Sequence, residues 1–245
     1  MLIESPTPQS QSAFLLEFNF EDALAGPLIT QNMPNRTAVW TDFASDPTHI
    51  HTNRQLYAEE APILAAHLPD GANILELGAG SGIASLSLAR AGMHIGKTFQ
   101  IDAVDLIPPD SFEREKLNFQ ARENVVYHQS LLEDFPLNQA NYHYIKADRV
   151  LPYLEPNQQL TLITKMLGSL KPQGGRMTFH IKEGQAGDYA GQTQHSLAPY
   201  QVEYISDLLR DSSVQIHRQP GDDEFTFYSV ITHPSSYSVH SPPSS

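Results

Sequence analysis

The chain has 245 residues, of which 40% are hydrophobic and 18% charged, as is usual for a globular domain with a sizeable core. Its formal charge is −13, and no cluster of lysine and arginine interrupts the acidic excess, so nucleic acid and anionic membranes are disfavoured as partners. The absence of cysteine excludes disulfides and thiolate metal sites, and no apolar run reaches membrane-spanning length. The first residues lack the basic start and apolar core of a secretory signal. We therefore expect a cytoplasmic protein whose partner is a small molecule.

The regions at the two ends of the chain differ in composition from its centre. Residues 1–12 and 233–245 are rich in serine and proline and predict flexible tails. Residues 13–71 hold an amphipathic stretch, an aromatic segment with several prolines, and then a helix for which Asn53 is the predicted N-cap. We predict that residues 13–71 form a cap and a leading helix ahead of the main domain.

Residues 72–232 alternate between strand-like and helical patterns. Because parallel strands need a crossover connection, this alternation favours a doubly wound α/β domain. The last two strand-like runs are joined by Pro-Gly-Asp-Asp, which predicts an antiparallel hairpin that closes the sheet. The predicted strands cover residues 72–77, 99–106, 124–128, 141–147 and 175–182, and the predicted helices cover residues 82–91, 111–122 and 157–170.

A glycine-rich turn follows the first predicted strand in the stretch NILELGAGSG, residues 73–82. Such a turn sets the N-terminus of the next helix beside a ligand, and glycine lets the backbone approach that ligand closely. A Walker loop is excluded because no Gly-Lys-Ser/Thr follows, and the dinucleotide fingerprint fails at Ile83, where its third glycine is required. Glu76 stands two residues before the first glycine and would repel a pyrophosphate. The pattern therefore favours a ligand that carries a cation.

The turn resembles the first motif of the class I S-adenosylmethionine-dependent methyltransferases, acid-x-Gly-x-Gly-x-Gly. Glu76, Gly78, Gly80 and Gly82 match it, and S-adenosylmethionine carries an ammonium and a sulfonium but no phosphate. The resemblance covers residues 54–232 and implies a Rossmann-like three-layer α/β sandwich. In that fold a seven-stranded, mostly parallel sheet has the order 3-2-1-4-5 and ends in an antiparallel 7-6 hairpin. The resemblance also implies an enzyme that moves a methyl group to an oxygen or nitrogen atom of a small-molecule acceptor.

Further matches to the family extend the predicted cofactor site. Asp105 ends the second predicted strand, where the family has the acid that binds the ribose hydroxyls, and Asp102 in mid-strand is the alternative. After the third strand, where the family often has Gly-Asp, this chain has Ser130 and Leu131. The predicted cofactor-binding residues are Glu76, Gly78, Ala79, Gly80, Gly82, Asp105, Leu106, Ser130, Leu131 and Asp148.

The acceptor is predicted to bind where the fourth strand ends. Asp148 and Arg149 stand where the family's fourth motif lines the methionine end of the cofactor and the substrate. Two segments rich in aromatic and titratable residues, 36–57 and 184–200, are expected to roof this end of the sheet. The residues predicted to contact the acceptor are Trp40, Phe43, Tyr57, Arg149 and Tyr153.

Proton removal from the acceptor is the remaining chemical task. A sulfonium is already an activated leaving group, so positioning and desolvation can supply much of the catalysis. An acceptor hydroxyl or ammonium must still lose a proton, for which histidine is the usual base. Of the eleven histidines, we predict His195 or His51, because both lie in the segments expected to roof the acceptor. His49 and His51 have a metal-compatible spacing without an identifiable third ligand, so we predict no metal site.

Two alternatives to this function stay open at the level of the sequence. One is a methyltransferase-like protein that binds the cofactor without catalysis, and the other is a protein methyltransferase.

Overall fold

The computed structural model describes residues 46–119, 124–132, 134–137, 141–189, 192–218 and 225–232. Its strands are β1 (Asn73–Leu77), β2 (Gln100–Asp105), β3 (Val125–Gln129), β4 (Tyr144–Ala147), β5 (Arg176–Lys182), β6 (Gly187–Tyr189), β7 (Gln192–Gln194), β8 (Ser213–Arg218) and β9 (Phe225–Ile231). Seven of them form one sheet in the order β3-β2-β1-β4-β5-β9-β8, and β6 pairs with β7 in a separate ribbon. β1 to β5 are parallel, while β9 is antiparallel to both β5 and β8. The predicted fold class and strand order are confirmed.

The described helices are α1 (Pro47–His67), α2 (Ile83–His94), α3 (Asp110–Phe119), α4 (Pro156–Ser169) and α5 (Pro199–Leu208). The predicted N-cap at Asn53 is wrong, because α1 begins six residues earlier and includes His49 and His51. Proline at the first helical position costs no hydrogen bond, and the Ile50 N–H already donates to the Asp46 carbonyl at 2.9 Å. No described helix is long and apolar enough to span a bilayer.

Two hydrophobic layers enclose the sheet. One joins β1 and β2 to α1 and α2, and the other joins β4, β5 and β9 to α4 and α5. Successive residues of β1 show the division, since Ile74 belongs to the first layer and Leu75 to the second. All four residues of β4 are buried, as expected of a central strand covered on both faces.

The carboxyl ends of the parallel strands meet at one edge, where open α/β folds bind their ligands. β1 has β2 on one side and β4 on the other, so the turn after β1 opens at the point where the strand order reverses. β5 is the longer strand at this edge. Ala147, the last residue of β4, pairs with Phe179, and β5 continues to Lys182. The last three residues of β5 therefore extend beyond the end of β4 and border the space next to it.

Candidate cofactor and acceptor site

The turn between β1 and α2 is held against β2 by the backbone. The N–H groups of Gly78 and Ala79 donate to the Val104 carbonyl at 2.8 and 3.0 Å. Gly78, Gly80 and Gly82 have φ values of 75°, 54° and 74°, which side chains rarely adopt.

The three glycines of the turn have different surroundings. A Cβ at Gly78 would lie 2.7 Å from the Val150 side chain, and a Cβ at Gly82 would strike the ring of Phe112. A Cβ at Gly80 would meet nothing within 4 Å. Gly78 and Gly82 are therefore required for packing, whereas Gly80 opens onto space in which a ligand can lie against the backbone.

Asp105 lies beside this open space. Its Oδ2 accepts the Gly80 N–H at 2.7 Å, and its Oδ1 accepts the Ile107 N–H at 3.2 Å. A carboxylate beside an open stretch of backbone is a group that accepts hydrogen bonds from the hydroxyls of a sugar. Asp102 has a different role, since its Oδ1 lies 2.8 Å from His128 Nε2 and its Oδ2 accepts the Tyr142 hydroxyl at 3.1 Å.

The side chain of Glu76, a residue of β1, is buried against the first turn of α2. Its Oε2 accepts the Ser85 N–H at 3.0 Å and also the Ser85 hydroxyl, which satisfies an N-terminal donor of the helix. Burial raises the pKa of Glu76 to about 7, although Lys146 and the Ser85 hydrogen bonds act in the opposite direction. A bound cation near this carboxyl would favour its charged form.

The residues predicted to flank an adenine ring lie together at the ends of β2 and β3. The Ser130 N–H donates to the Asp105 carbonyl at 2.8 Å, and Gln129 Nε2 donates to the Leu106 carbonyl at 3.4 Å. The Leu131 side chain is exposed and offers an apolar surface to a flat ring. This part of the edge provides one face for an aromatic ligand group.

A charged cluster, the buried Lys146 with the partly exposed Asp148, Glu60 and Tyr57, lies at the end of β4. Lys146 Nζ is 2.9 Å from Asp148 Oδ2, 3.4 Å from Glu60 Oε2 on α1, and 4.2 Å from the centre of the Tyr57 ring. Burial alone would lower the pKa of Lys146, but Asp148 and Glu60 raise it well above its ordinary value. Burial raises the pKa of Tyr57 to about 12. The lysine therefore stays charged and the tyrosine neutral over the physiological range.

Lys146, Glu60 and the neighbouring His180 were not among the site residues predicted from the sequence. One signal was present: Lys146 is a charged residue within the otherwise apolar run of β4, and it alternates with Tyr144 and Asp148. Residues two apart on a strand share one face. Glu60, the partner of Lys146 on α1, has no feature in its local sequence that predicts this contact.

The loop after β4 joins the cluster to the segment 192–195. Arg149 has a φ of 55°, the only positive φ at a non-glycine position in the described part of the chain. Tyr153 accepts a hydrogen bond from Gln194 Nε2 at 3.0 Å, and the His195 N–H donates to the Pro152 carbonyl at 2.6 Å. His195 Nε2 lies 3.6 Å from Glu155 Oε1. Arg149, Tyr153 and His195 are thus brought to the same end of the sheet.

Other predicted site residues lie elsewhere or outside the described chain. His51 is exposed on α1 rather than in a loop ahead of it. Trp40 and Phe43 lie outside the described residues. Among the described residues, no group of three or more metal-ligating side chains could hold a metal ion.

Known proteins with which this chain was compared include methyltransferases. A family model described as a methyltransferase domain matches residues 74–174. The 1,6-didemethyltoxoflavin-N1-methyltransferase of Burkholderia thailandensis, solved with 1,6-didemethyltoxoflavin and S-adenosylhomocysteine, is 16% identical, with a TM-score of 0.56 over 94% of this chain and 93% of that one. The N-methyltransferase NodS of Bradyrhizobium japonicum, solved with S-adenosylhomocysteine, is 15% identical, with a TM-score of 0.53 over 80% of this chain and 97% of that one. No curated protein matches this chain in sequence.

Proposed function

We propose that the chain is an S-adenosylmethionine-dependent methyltransferase with a class I domain and that it methylates an oxygen or nitrogen atom of a small molecule. The observation that carries the proposal is the pair of hydrogen bonds by which the segment 192–195 is held to the loop after β4, at Pro152 and Tyr153. A segment fixed beside this strand end restricts a protein chain more than it restricts a small acceptor. The Burkholderia neighbour, an N1-methyltransferase solved with bound 1,6-didemethyltoxoflavin, supports the same proposal.

The cofactor is proposed to lie across the turn after β1. Open space at Gly80, the Asp105 carboxylate beside it and the buried acid Glu76 suit a cationic ligand with a ribose and without phosphate. We assign Glu76, Asp148 and the turn residues to the methionine end and Asp105 to the ribose. Leu106, Ser130 and Leu131 are assigned to the adenine. When bound, S-adenosylmethionine supplies a methyl group on a sulfonium whose sulfur is a ready leaving group.

The acceptor is proposed to occupy the space above the end of β4. Arg149, Tyr153 and His195 border it from the loop and from the segment 192–195, and Tyr57 borders it from α1. We also infer that residues 72–232 form the catalytic domain and that residues 13–71 form its cap, with tails at 1–12 and 233–245.

Methyl-labelled S-adenosylmethionine tests the acceptor class. The protein is incubated with the labelled cofactor and a cell extract, which is then separated into small-molecule and protein fractions. Label in the small-molecule fraction supports the proposal. Label confined to protein bands would show a protein methyltransferase instead, and no label above an extract-only control would overturn the proposal.

A further inference from the structure

A histidine other than the predicted bases His195 and His51 lies beside the proposed acceptor space. His180 is the first residue of β5 beyond the end of β4, because Ala147 pairs with Phe179. Its side chain is buried, and its ring centre lies 4.8 Å from that of Phe227 on β9. The ring is therefore fixed at the edge of the sheet and shielded from bulk water.

Asp148 faces this ring. Its Oδ1 lies 3.5 Å from His180 Nδ1, while its Oδ2 is held by Lys146 at 2.9 Å. Burial alone would raise the pKa of Asp148, but Lys146 holds it well below its usual range. The carboxylate therefore stays charged at neutral pH, and of the two neutral tautomers of the ring it favours the one with the proton on Nδ1, the nitrogen that faces it. The other nitrogen, Nε2, then carries the lone pair.

The other charged groups around His180 come from two directions. From β4 comes Lys146, which also contacts Glu60 and Tyr57 of α1. From β5 comes Lys182, two residues after His180, with its Nζ 4.8 Å from the centre of the Phe225 ring. Of the acids near His180, Asp148 is the one paired with the imidazole ring.

We propose that His180 is the general base of the methyl transfer and that Asp148 is its positioning residue, an inference that rests on the proposed function. A lone pair on the acceptor oxygen or nitrogen bonds to the methyl carbon while the carbon–sulfur bond breaks and its electron pair leaves with sulfur. The acceptor proton passes to His180 Nε2. Asp148 stabilises the resulting imidazolium, which releases the proton to water as the products leave. A distance of 3.5 Å between positioning acid and base is typical of an enzyme without substrate.

The tautomer of His180 tests the proposed contact between Asp148 and His180, and it can be measured without any methyl transfer. Nitrogen-15 NMR of the full chain, without cofactor, reports which ring nitrogen carries the proton, and His180→Gln identifies the signals. We expect Nδ1–H in the wild type. In Asp148→Asn the amide can donate to Nδ1, so the proton should move to Nε2. An Nε2–H ring in the wild type, or an unchanged tautomer in Asp148→Asn, would overturn the proposal.

Methyl transfer into the small-molecule fraction of a cell extract tests the base itself. We expect His180→Gln to lower this transfer roughly 10²-fold at pH 7 and to recover as the pH rises, because an acceptor that ionises in solution needs no base. Its affinity for S-adenosylhomocysteine by calorimetry should equal that of the wild type. His94→Gln, an exposed histidine at the end of α2, is the matched control.

The variants separate this inference from the proposed function. Full transfer by His180→Gln with normal S-adenosylhomocysteine binding overturns the inference and leaves the function intact. The same loss and recovery in His195→Gln instead would assign the base to His195. A wild type that labels no small molecule removes the proposed function and the inference together.

Discussion

Gly80 is the turn residue whose missing side chain leaves open space. Its φ of 54° and that of Gly71, 71°, impose similar strain on an alanine, and neither Cβ would meet an atom within 4 Å. In both variants we expect a loss of about 1–2 kcal/mol of stability. Only the Gly80 methyl group would enter the proposed cofactor space.

Calorimetry with S-adenosylhomocysteine separates strain from blocking. Gly80→Ala should weaken binding about 10- to 100-fold, because an inserted methyl group costs about 1–3 kcal/mol in a close-fitting site. Gly71→Ala, in the turn that precedes β1, should bind as the wild type does. Equal affinity in the two variants would place the cofactor away from Gly80.

Glu76 predicts a pH dependence of stability. Its pKa rises from 4.5 to about 7 on folding, so between these values the folded state binds more protons than the unfolded state. The free energy of unfolding must then fall as the pH rises from 4.5 to 7, and it becomes constant above 7. The total loss is up to about 3 kcal/mol.

Urea unfolding of Glu76→Gln measures this effect. The amide cannot ionise, so the variant should gain stability relative to the wild type at pH 8, by about 1–3 kcal/mol more than at pH 5. Its carbonyl oxygen can still accept the Ser85 N–H. The same stability difference at both pH values would show that Glu76 is ionised throughout.

At the scale of elements, α1 is attached to the rest of the fold at two charged points. Glu60 meets Lys146 on β4, and Arg54 Nη2 lies 2.6 Å from Glu115 Oε2 on α3. The Arg54 side chain is 41% exposed whereas that of Glu115 is 2% exposed, so the acid depends on the arginine. Lys146 belongs to β4 and Glu115 to the helix that follows β2, and β1 lies between β2 and β4, so α1 is tied to elements from both sides of β1.

A double-mutant cycle measures the second attachment. Arg54→Met should cost about 1–3 kcal/mol in urea unfolding, since a buried carboxylate loses its partner. Adding Glu115→Met should restore most of that loss, because an apolar pair replaces a buried ion pair at little cost. Additive losses in the double variant would contradict this account.

The elements differ in how far the sequence predicts them. β1 and its turn follow from a local pattern, and the parallel order follows from the alternation of strands and helices. The predicted start of α1 was wrong because it relied on Asn53, which is a good cap residue in isolation, whereas the helix begins earlier, at Pro47. The pairing of His180 with Asp148 depends on the β4–β5 register, which no local pattern contains.

At the scale of the whole molecule, one sheet connects every part of the site. β2, β1, β4 and β5 are adjacent, so the ribose, methionine and acceptor positions lie on neighbouring strand ends. The hydrophobic layers on the two faces both include residues of β1. A ligand held at this edge therefore contacts elements that belong to both layers, and its binding should stabilise the domain as a unit.

Thermal unfolding tests this coupling and the choice of cofactor together. At 100 times its Kd, S-adenosylhomocysteine should add about 2.7 kcal/mol to the free energy of unfolding, which raises Tm by about 5–10 °C for a domain of this size. NAD at the same concentration should leave Tm unchanged, because its pyrophosphate would face Glu76 and because Ile83 replaces the third glycine of the dinucleotide fingerprint. In Gly80→Ala, at the same concentration, tenfold weaker binding should lower the stabilisation by S-adenosylhomocysteine from about 2.7 to about 1.4 kcal/mol, with a correspondingly smaller rise in Tm. A shift produced by NAD and not by S-adenosylhomocysteine would reverse the assignment of the turn.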